Sequence, residues 1–388
     1  MDNLIGIRKL IIIKKQDCFG GLMYNKIKRK FVSKLRKPYQ KDHEMIMKLD
    51  KEVKKLKKEN AKLKKQNKLL IQKNEEYDQI IDSNNFLYST LFLDSKIESS
   101  GVLKQLQTLC IEFIDFVDNV CKKHDIVYWL DGGNLLGAYR HKGFIPWDDD
   151  IDIAIMREDY YKFSEVIHDE LELHGLSDNI ILSSSRLITH YTIYGFPQMY
   201  YNHETVGFIT GVDFFQFDYI KDPDSDIKSN FKKAKADFFR NMINDLDKEL
   251  IDEIKKEDVE SIDLTDVLDI RDYIQQSYDS LNLSFEKQDH LIQGVDGNIG
   301  GYVHDFKLFN TDDFFPLETI QFGEKYYPCQ NNVPNYLTAV YGKDFMSLPN
   351  IIRYHGRSEY LKQFDNIEEI LDEAIDKMKK VNENFWNH

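Results

Sequence analysis

Between Asp131 and Met156 the chain reads Asp-Gly-Gly-Asn-Leu-Leu-Gly-Ala-Tyr-Arg-His-Lys-Gly-Phe-Ile-Pro-Trp-Asp-Asp-Asp-Ile-Asp-Ile-Ala-Ile-Met, and no other stretch narrows its possible folds so far. Asp150 and Asp152 alternate with Ile151, Ile153 and Ile155. On a strand, successive side chains point to opposite faces, so the isoleucines face a core while the two carboxylates share the other face. Two acids held side by side repel each other unless a cation lies between them. Hard oxygen ligands of this kind suit Mg²⁺ or Mn²⁺. The pair Gly132-Gly133, opening a short helix, lets backbone N–H groups come up to phosphate because neither residue has a side chain in the way. A phosphate cradle beside hard-metal ligands points to phosphoryl or nucleotidyl transfer. Taken singly, a glycine pair is a turn and an acidic triplet a solvated loop. The order strand, Gly-Gly, short helix, Pro-Trp and acid-bearing strand is much harder to obtain as solvated decoration.

Those residues carry a family resemblance. Gly132-Gly133, Leu136-Gly137-Ala138, the run Arg140 to Ile153 and Arg157-Glu158-Asp159-Tyr160 all fall between Tyr128 and Phe163. This stretch resembles the LicD family, relatives of fukutin within the nucleotidyltransferase-fold superfamily. Val212-Asp213-Phe214, inside Gly211 to Asp218, fits the family's third acid on a later strand. A second similar block holds Phe322-Gly323, Tyr327-Pro328, Tyr336-Leu337, Tyr341-Gly342, Asp344, Pro349 and His355 in the family's order. Asn134 stands where the family usually has Thr or Ser, and its amide can donate in place of the hydroxyl. The resemblance implies an α/β (α+β) fold: a nucleotidyltransferase-like mixed β-sheet flanked by helices.

It also implies a reaction, transfer of a phosphorylated alcohol (phosphocholine or a polyol phosphate) from a CDP-linked donor to a glycan hydroxyl, as in lipopolysaccharide or teichoic acid modification. Asp150 and Asp152 would hold Mg²⁺ or Mn²⁺. Asp213 would complete the metal shell or take the acceptor's proton, and Asp148 is a candidate ligand of a second metal. Gly132, Gly133 and Asn134 would meet phosphate, with Arg140 and Lys142 supplying positive charge; His141, Trp147 and His355 are further substrate-binding candidates. For Arg140 a salt bridge to one of the aspartates is the plainer alternative, and Asp149 would cap or pair with His141. The aromatics Tyr191, Tyr194, Phe196, Tyr200, Tyr201 and Trp147 would suit a choline ammonium through cation–π contact, a sugar, or simply a core. A cytidylyltransferase is the alternative within the same metal chemistry.

Charge separates the chain into unlike halves. Residues 1–82 hold 23 Lys and Arg against 11 Asp and Glu, a net of +12; the rest hold 29 against 55, a net of −26. The acidic part is a poor general binder of nucleic acid, whose phosphates it repels. Cys18, Cys110, Cys121 and Cys329 form no Cys-x-x-Cys, and Cys110 and Cys121 fall in an apolar helical pattern that predicts burial. No apolar run approaches the ~20 residues that span a bilayer, and the short run Leu10 to Ile13 makes no signal peptide. The expectation is a cytoplasmic protein whose basic N-terminal segment is either solvated and disordered or in peripheral contact with the inner face of the membrane.

The organisation expected is a basic segment over 1–41, a coiled coil over 42–82, a linker over 83–100 and the LicD-like catalytic domain over 101–388, with a helical insertion near 221–300. In the coiled coil, Leu49, Leu56, Leu63, Leu70 and Tyr77 repeat every seven residues, as do Ile46, Val53, Asn60, Asn67, Asn74 and Ile81. The asparagines favour a two-stranded parallel homodimer in fixed register. A basic segment before a zipper also fits a DNA-binding or scaffold protein, against which stand the metal-site signature and Pro38, expected to interrupt a continuous basic helix. Expected elements of the catalytic part are a helix over 103–123, strands over 126–130 and 150–156, a helix over 159–173, two to four strands within 180–218, and a last helix over 367–384.

Overall fold

The computed structural model describes residues 21–92, 98–183, 186–188, 192–194, 197–246, 261–263, 270–296, 306–347 and 356–387. The chain divides into two units, Met1–Asn84 and Asn85–His388. Helix α1 covers Gly21–Phe92, so its last eight residues belong to the second unit, and it includes the whole heptad stretch. It corrects the sequence reading in two places. It runs through Pro38 without a break, because proline removes one N–H bond at a cost of about 3 kcal/mol but leaves the turns on both sides free to form. Pro38 therefore no longer weighs against a basic helix, and that rival is opposed by the metal-site signature alone. The helix also continues into the segment taken as linker, since nothing between Asp82 and Ser100 is glycine or proline. On the single chain the heptad leucines are exposed, Leu56 and Leu63 at 58%.

The second unit continues with α2 (Gly101–Lys123), β1 (Tyr128–Leu130), α3 (Gly132–His141), β2 (Ile151–Met156) and α4 (Arg157–Leu173). Strands β3 (Ile180–Ser183), β4 (Arg186–Ile188), β5 (Thr192–Tyr194), β6 (Gln198–His203) and β7 (Gly207–Ile220) follow, one more than expected. Then come α5 (Ile227–Asp245), β8 (Ser261–Asp263), α6 (Arg271–Leu281), β9 (Leu283–Ser284), β10 (His290–Gln293) and β11 (Phe309–Asn310). The chain closes with β12 (Glu318–Phe322), β13 (Lys325–Cys329), α7 (Val333–Tyr341), α8 (Arg357–Leu361) and α9 (Ile367–Asn384). The main sheet runs β1-β2-β7-β10-β11, with β6 and β9 also paired to β7 and β3 to β6. Among the described residues only β2 and β7 pair in parallel; the other ladders are antiparallel. This is the mixed sheet with flanking helices that the resemblance implies.

Burial follows the periodicities. Leu106, Leu109, Cys110, Phe113, Ile114, Val117 and Val120 of α2 are all wholly buried, at the helical spacing of one apolar face. Helix α9 lies against α2 through Leu371, Ala374 and Met378, and Gln105 Nε2 donates to Asp372 Oδ1 at 2.7 Å along the seam. Cys110 and Cys121 are buried free thiols, as expected. The stretch 221–300 departs from expectation. Beside α5 and α6 it supplies β10, which pairs with β7 in the main sheet, so it is no purely helical appendage. A second apolar cluster forms there from Phe231, Phe238, Met242, Ile274, Leu281 and Ile292, the last from the sheet itself. No described helix is long and apolar enough to cross a membrane.

Candidate metal centre and its pocket

Parallel pairing of β2 with β7 sets Asp152 directly beside Asp213 in the ladder. Asp150 precedes β2 by one residue, and one carboxylate oxygen from each of Asp150, Asp152 and Asp213 lies within 4.8 Å of the others. Ile151, Ile153 and Ile155 are wholly buried behind them, as strand alternation requires. Burial, then the charges of Asp150, Asp213 and Asp148, push the Asp152 carboxyl well above the usual carboxylate range; the Gly133 N–H pulls the other way. Three converging carboxylates, two of which raise the proton affinity of the third, form the electrostatic complement of a divalent cation, and an all-oxygen donor set fits Mg²⁺ or Mn²⁺. The supporting loop is fixed from both sides. Gln107 Nε2 donates to the Asp148 carbonyl at 2.8 Å and Thr210 Oγ1 to the Asp149 carbonyl at 2.9 Å.

The glycine pair serves these acids. A Cβ on Gly132, whose φ is +50°, would lie 2.1 Å from Asp152 Oδ2, and one on Gly133 would lie 2.6 Å from Asp148 Oδ2. The Gly133 N–H donates to Asp152 Oδ2 at 2.8 Å, and the Gly132 N–H faces the Asp131 carboxylate. Asn134 serves the same acid-bearing strand. It is wholly buried, its Nδ2 donates to the Asp150 carbonyl at 3.2 Å, and its Oδ1 accepts the Asp152 N–H. Both ends of the amide are used to hold the acid-bearing strand against α3, which accounts for an amide where a hydroxyl was expected. Gln198 of β6 donates through Nε2 to Asp213 Oδ1 and orients the third acid.

Beside the triad opens a pocket lined by Asp131 and Asp152, by Tyr336 and Tyr341 of α7, and by Lys235 and Lys307. Asp131 and the two lysines were missed from the sequence. Asp131 stands at the N-terminus of α3, buried, with the Tyr336 hydroxyl donating to its Oδ1. Burial raises its carboxyl to about 6, against the opposing pull of Tyr336 and the Gly132 N–H. The signal was available, since Asp131 abuts the glycine pair and Tyr336 lies in the second similar block.

The remaining candidates are placed as follows. Arg140 and the exposed His141 and Lys142 sit at the C-terminal end of α3, and half-buried Trp147 in the loop before β2; none of the four lines the pocket. Burial lowers the Arg140 guanidinium, and partial burial of the ring of the otherwise exposed His141, together with Arg140, lowers its imidazole. Asp148 lies against Gly133, outside the group of three converging acids, and Asp149 is buried. His355 lies outside the described residues, as do Pro349, Tyr191 and Phe196. Tyr200 and Tyr201 are buried on β6. The aromatics that do line the pocket include Phe215, Phe217, Phe231 and Phe306 instead.

Behind the pocket, Arg157 at the start of α4 is almost wholly buried between two acids. Its Nε and Nη2 donate to Asp218 of β7 at 2.7 and 2.8 Å, and its Nη1 and Nη2 to Asp296 at 2.9 and 2.7 Å. Tyr278 of α6 donates to Asp218 Oδ1 at 2.7 Å. This cluster ties the start of α4, β7 and α6 to the turn after β10. Arg157 and Asp218 both lie in the blocks that carry the resemblance, but nothing in their spacing shows that they pair.

Residues 125–248 match the family described as LicD/FKTN/FKRP, nucleotidyltransferase domain. Over 72 residues the chain is 44% identical to the lipopolysaccharide cholinephosphotransferase LicD of Haemophilus influenzae, a match covering 19% of this chain and 27% of that protein. Over 44 residues it is 50% identical to the ribitol 5-phosphate transferase FKRP of Homo sapiens, covering 11% of this chain and 9% of that protein. The chain thus aligns with about a quarter or less of the length of these relatives. The triad, the glycine pair and the strands that carry them all fall within the stretch 125–248 that matches the LicD/FKTN/FKRP nucleotidyltransferase domain.

Proposed function

We propose that residues 101–388 form a metal-dependent transferase that moves a phospho-alcohol group from a CDP-linked donor to a glycan hydroxyl. The observation that carries this is the convergence of Asp150, Asp152 and Asp213 within 4.8 Å beside a pocket that Asp152 itself lines. The relatives named as cholinephosphotransferase and ribitol 5-phosphate transferase supply the class of group transferred. When bound at the triad, Mg²⁺ or Mn²⁺ would neutralise charge on the diphosphate. The acceptor hydroxyl attacks the phosphorus that bears the alcohol, the bridging P–O bond breaks, CMP leaves, and the hydroxyl proton passes to a carboxylate of the site. The chain's work is positioning. Asn134 and Gly133 fix Asp152, Gln198 fixes Asp213, and Tyr336 holds Asp131 at the pocket wall.

Incubating the full chain with Mg²⁺, an acceptor glycan and CDP-choline, CDP-ribitol, CDP-glycerol or CTP separately tests this reading. Expected are CMP and an acceptor heavier by one alcohol phosphate, both lost in Asp152→Asn and in excess EDTA. Pyrophosphate release from CTP would make the chain a cytidylyltransferase, and full activity of Asp152→Asn would remove the triad from the chemistry. For the first unit the reading is a parallel dimer of α1, supported by the exposed heptad leucines and the asparagine layers. The basic residues of the N-terminal segment would add contact with an anionic membrane surface.

A further inference from the structure

The pocket beside the triad receives two cations from the stretch 221–309, where the sequence offers no motif. Lys235 stands on α5 one turn after Phe231, and Lys307 follows Phe306; all four line the pocket with Asp152. The rings of Phe231 and Phe306 meet at 5.1 Å between centroids, so the α5 wall and the 306–307 wall are packed together and present aromatic surface beside the ammonium groups. Lys235 Nζ lies 6.0 Å from the centre of the Phe231 ring, and Lys235 and Lys307 are both half-buried. Beside carboxylates that can hold only a cation, a second zone of positive charge with flat apolar walls matches one kind of ligand. The ligand must be anionic where it meets the lysines and planar where it meets the rings, and it must reach a metal at Asp152.

We propose that Lys235 and Lys307, with Phe231 and Phe306, form the nucleoside diphosphate subsite of the donor, the lysines meeting its phosphates and the phenylalanines its base. The assignment rests on the transferase reading above and extends it to residues outside the matched family stretch or late within it. A metal held by Asp150, Asp152 and Asp213 would neutralise only part of a diphosphate's charge, leaving the rest for two ammonium groups to offset, while stacking on phenylalanine accepts a pyrimidine by its π-face. Burial holds the Lys235 ammonium at about 8, which Asp296 only partly counteracts, so an incoming anion relieves a cost already present. A phosphate on the acceptor glycan would offer the lysines the same chemistry, and the test separates the two sources.

Calorimetric titration of the full chain with CDP in the presence of Mn²⁺ should show binding. Lys235→Met should weaken it at least tenfold, Lys307→Met should weaken it too, and Lys235→Arg should restore most of it, with affinity for Mn²⁺ alone unchanged throughout. In steady state Lys235→Met should raise KM for the donor more than KM for the acceptor. No CDP binding by the unmodified chain, wild-type CDP affinity in Lys235→Met, or a rise confined to the acceptor's KM would overturn the proposal. If CDP binds through Lys235 yet no CDP-alcohol is consumed with a competent acceptor, the subsite stands and the transferase reading falls.

Discussion

Replacing Lys235 by Met should make the protein more stable at neutral pH, and the size of the gain follows from where the ammonium sits. Burial moves this group from its ordinary 10.5 to about 8. At ~1.4 kcal/mol per pKa unit that difference corresponds to about 3 kcal/mol. The side chain borders an open pocket, so solvent screening reduces the usable figure to about 1–2 kcal/mol. The folded-state value is depressed, so the unfolded chain holds its proton up to 10.5 while the folded chain releases it near 8. The penalty is therefore full below pH 8, and wild-type stability recovers between pH 8 and 10.5. Met keeps an unbranched apolar stem beside Phe231 and has no proton to lose. Urea unfolding of wild type and Lys235→Met, followed by the fluorescence of buried Trp129, should show the variant ahead at pH 7 and the gap nearly closed at pH 10. A variant less stable than wild type at pH 7, or a gap of equal size at both pH values, would refute the reasoning.

Arg157→Met should cost about 3–5 kcal/mol in the same urea assay, because it strands the carboxylates of Asp218 and Asp296 in the interior; the triple variant that also carries Asp218→Asn and Asp296→Asn should recover much of the loss, and no recovery would show that packing dominates. Tyr336→Phe removes the hydroxyl that donates to buried Asp131 and should destabilise by about 1–3 kcal/mol, a value near zero showing that the bond contributes nothing net. Gly132→Ala should abolish Mn²⁺ binding by driving the new methyl into Asp152 Oδ2, whereas Gly101→Ala, with the same sign of φ and open space around it, should cost only about 1–2 kcal/mol of stability and leave calorimetric Mn²⁺ affinity intact. Removing residues 1–82 should convert a dimer to a monomer by sedimentation while transfer to a soluble acceptor continues; a truncated protein that stays dimeric would move the main interface to the second unit.

What the sequence determined by itself is whatever repeats over short range. Alternation over Ile151 to Ile155 placed three isoleucines in the core and Asp152 on the other face, and the helical spacing of α2 named seven of the side chains that are wholly buried there. The heptads marked the helical stretch of α1, and the last helix was legible at both ends. Resemblance, more than periodicity, brought Asp213 to Asp150 and Asp152, since a strand's sequence says which face a residue occupies but not which strand lies beside it. The tertiary structure alone decided the rest. Asn134 and the glycines were recognised by position, and only the tertiary structure, through the antiparallel pairing of β1 with β2, shows their polar groups meeting the acid-bearing strand and its carboxylates. Arg157 finds Asp218 and Asp296 at separations of 61 and 139 residues, and Lys235 reaches the pocket from a stretch without a motif. Charges that pair or converge across such distances leave no period in the chain, because their positions are set by the packing of whole elements; local side-chain patterns set only each element's own faces.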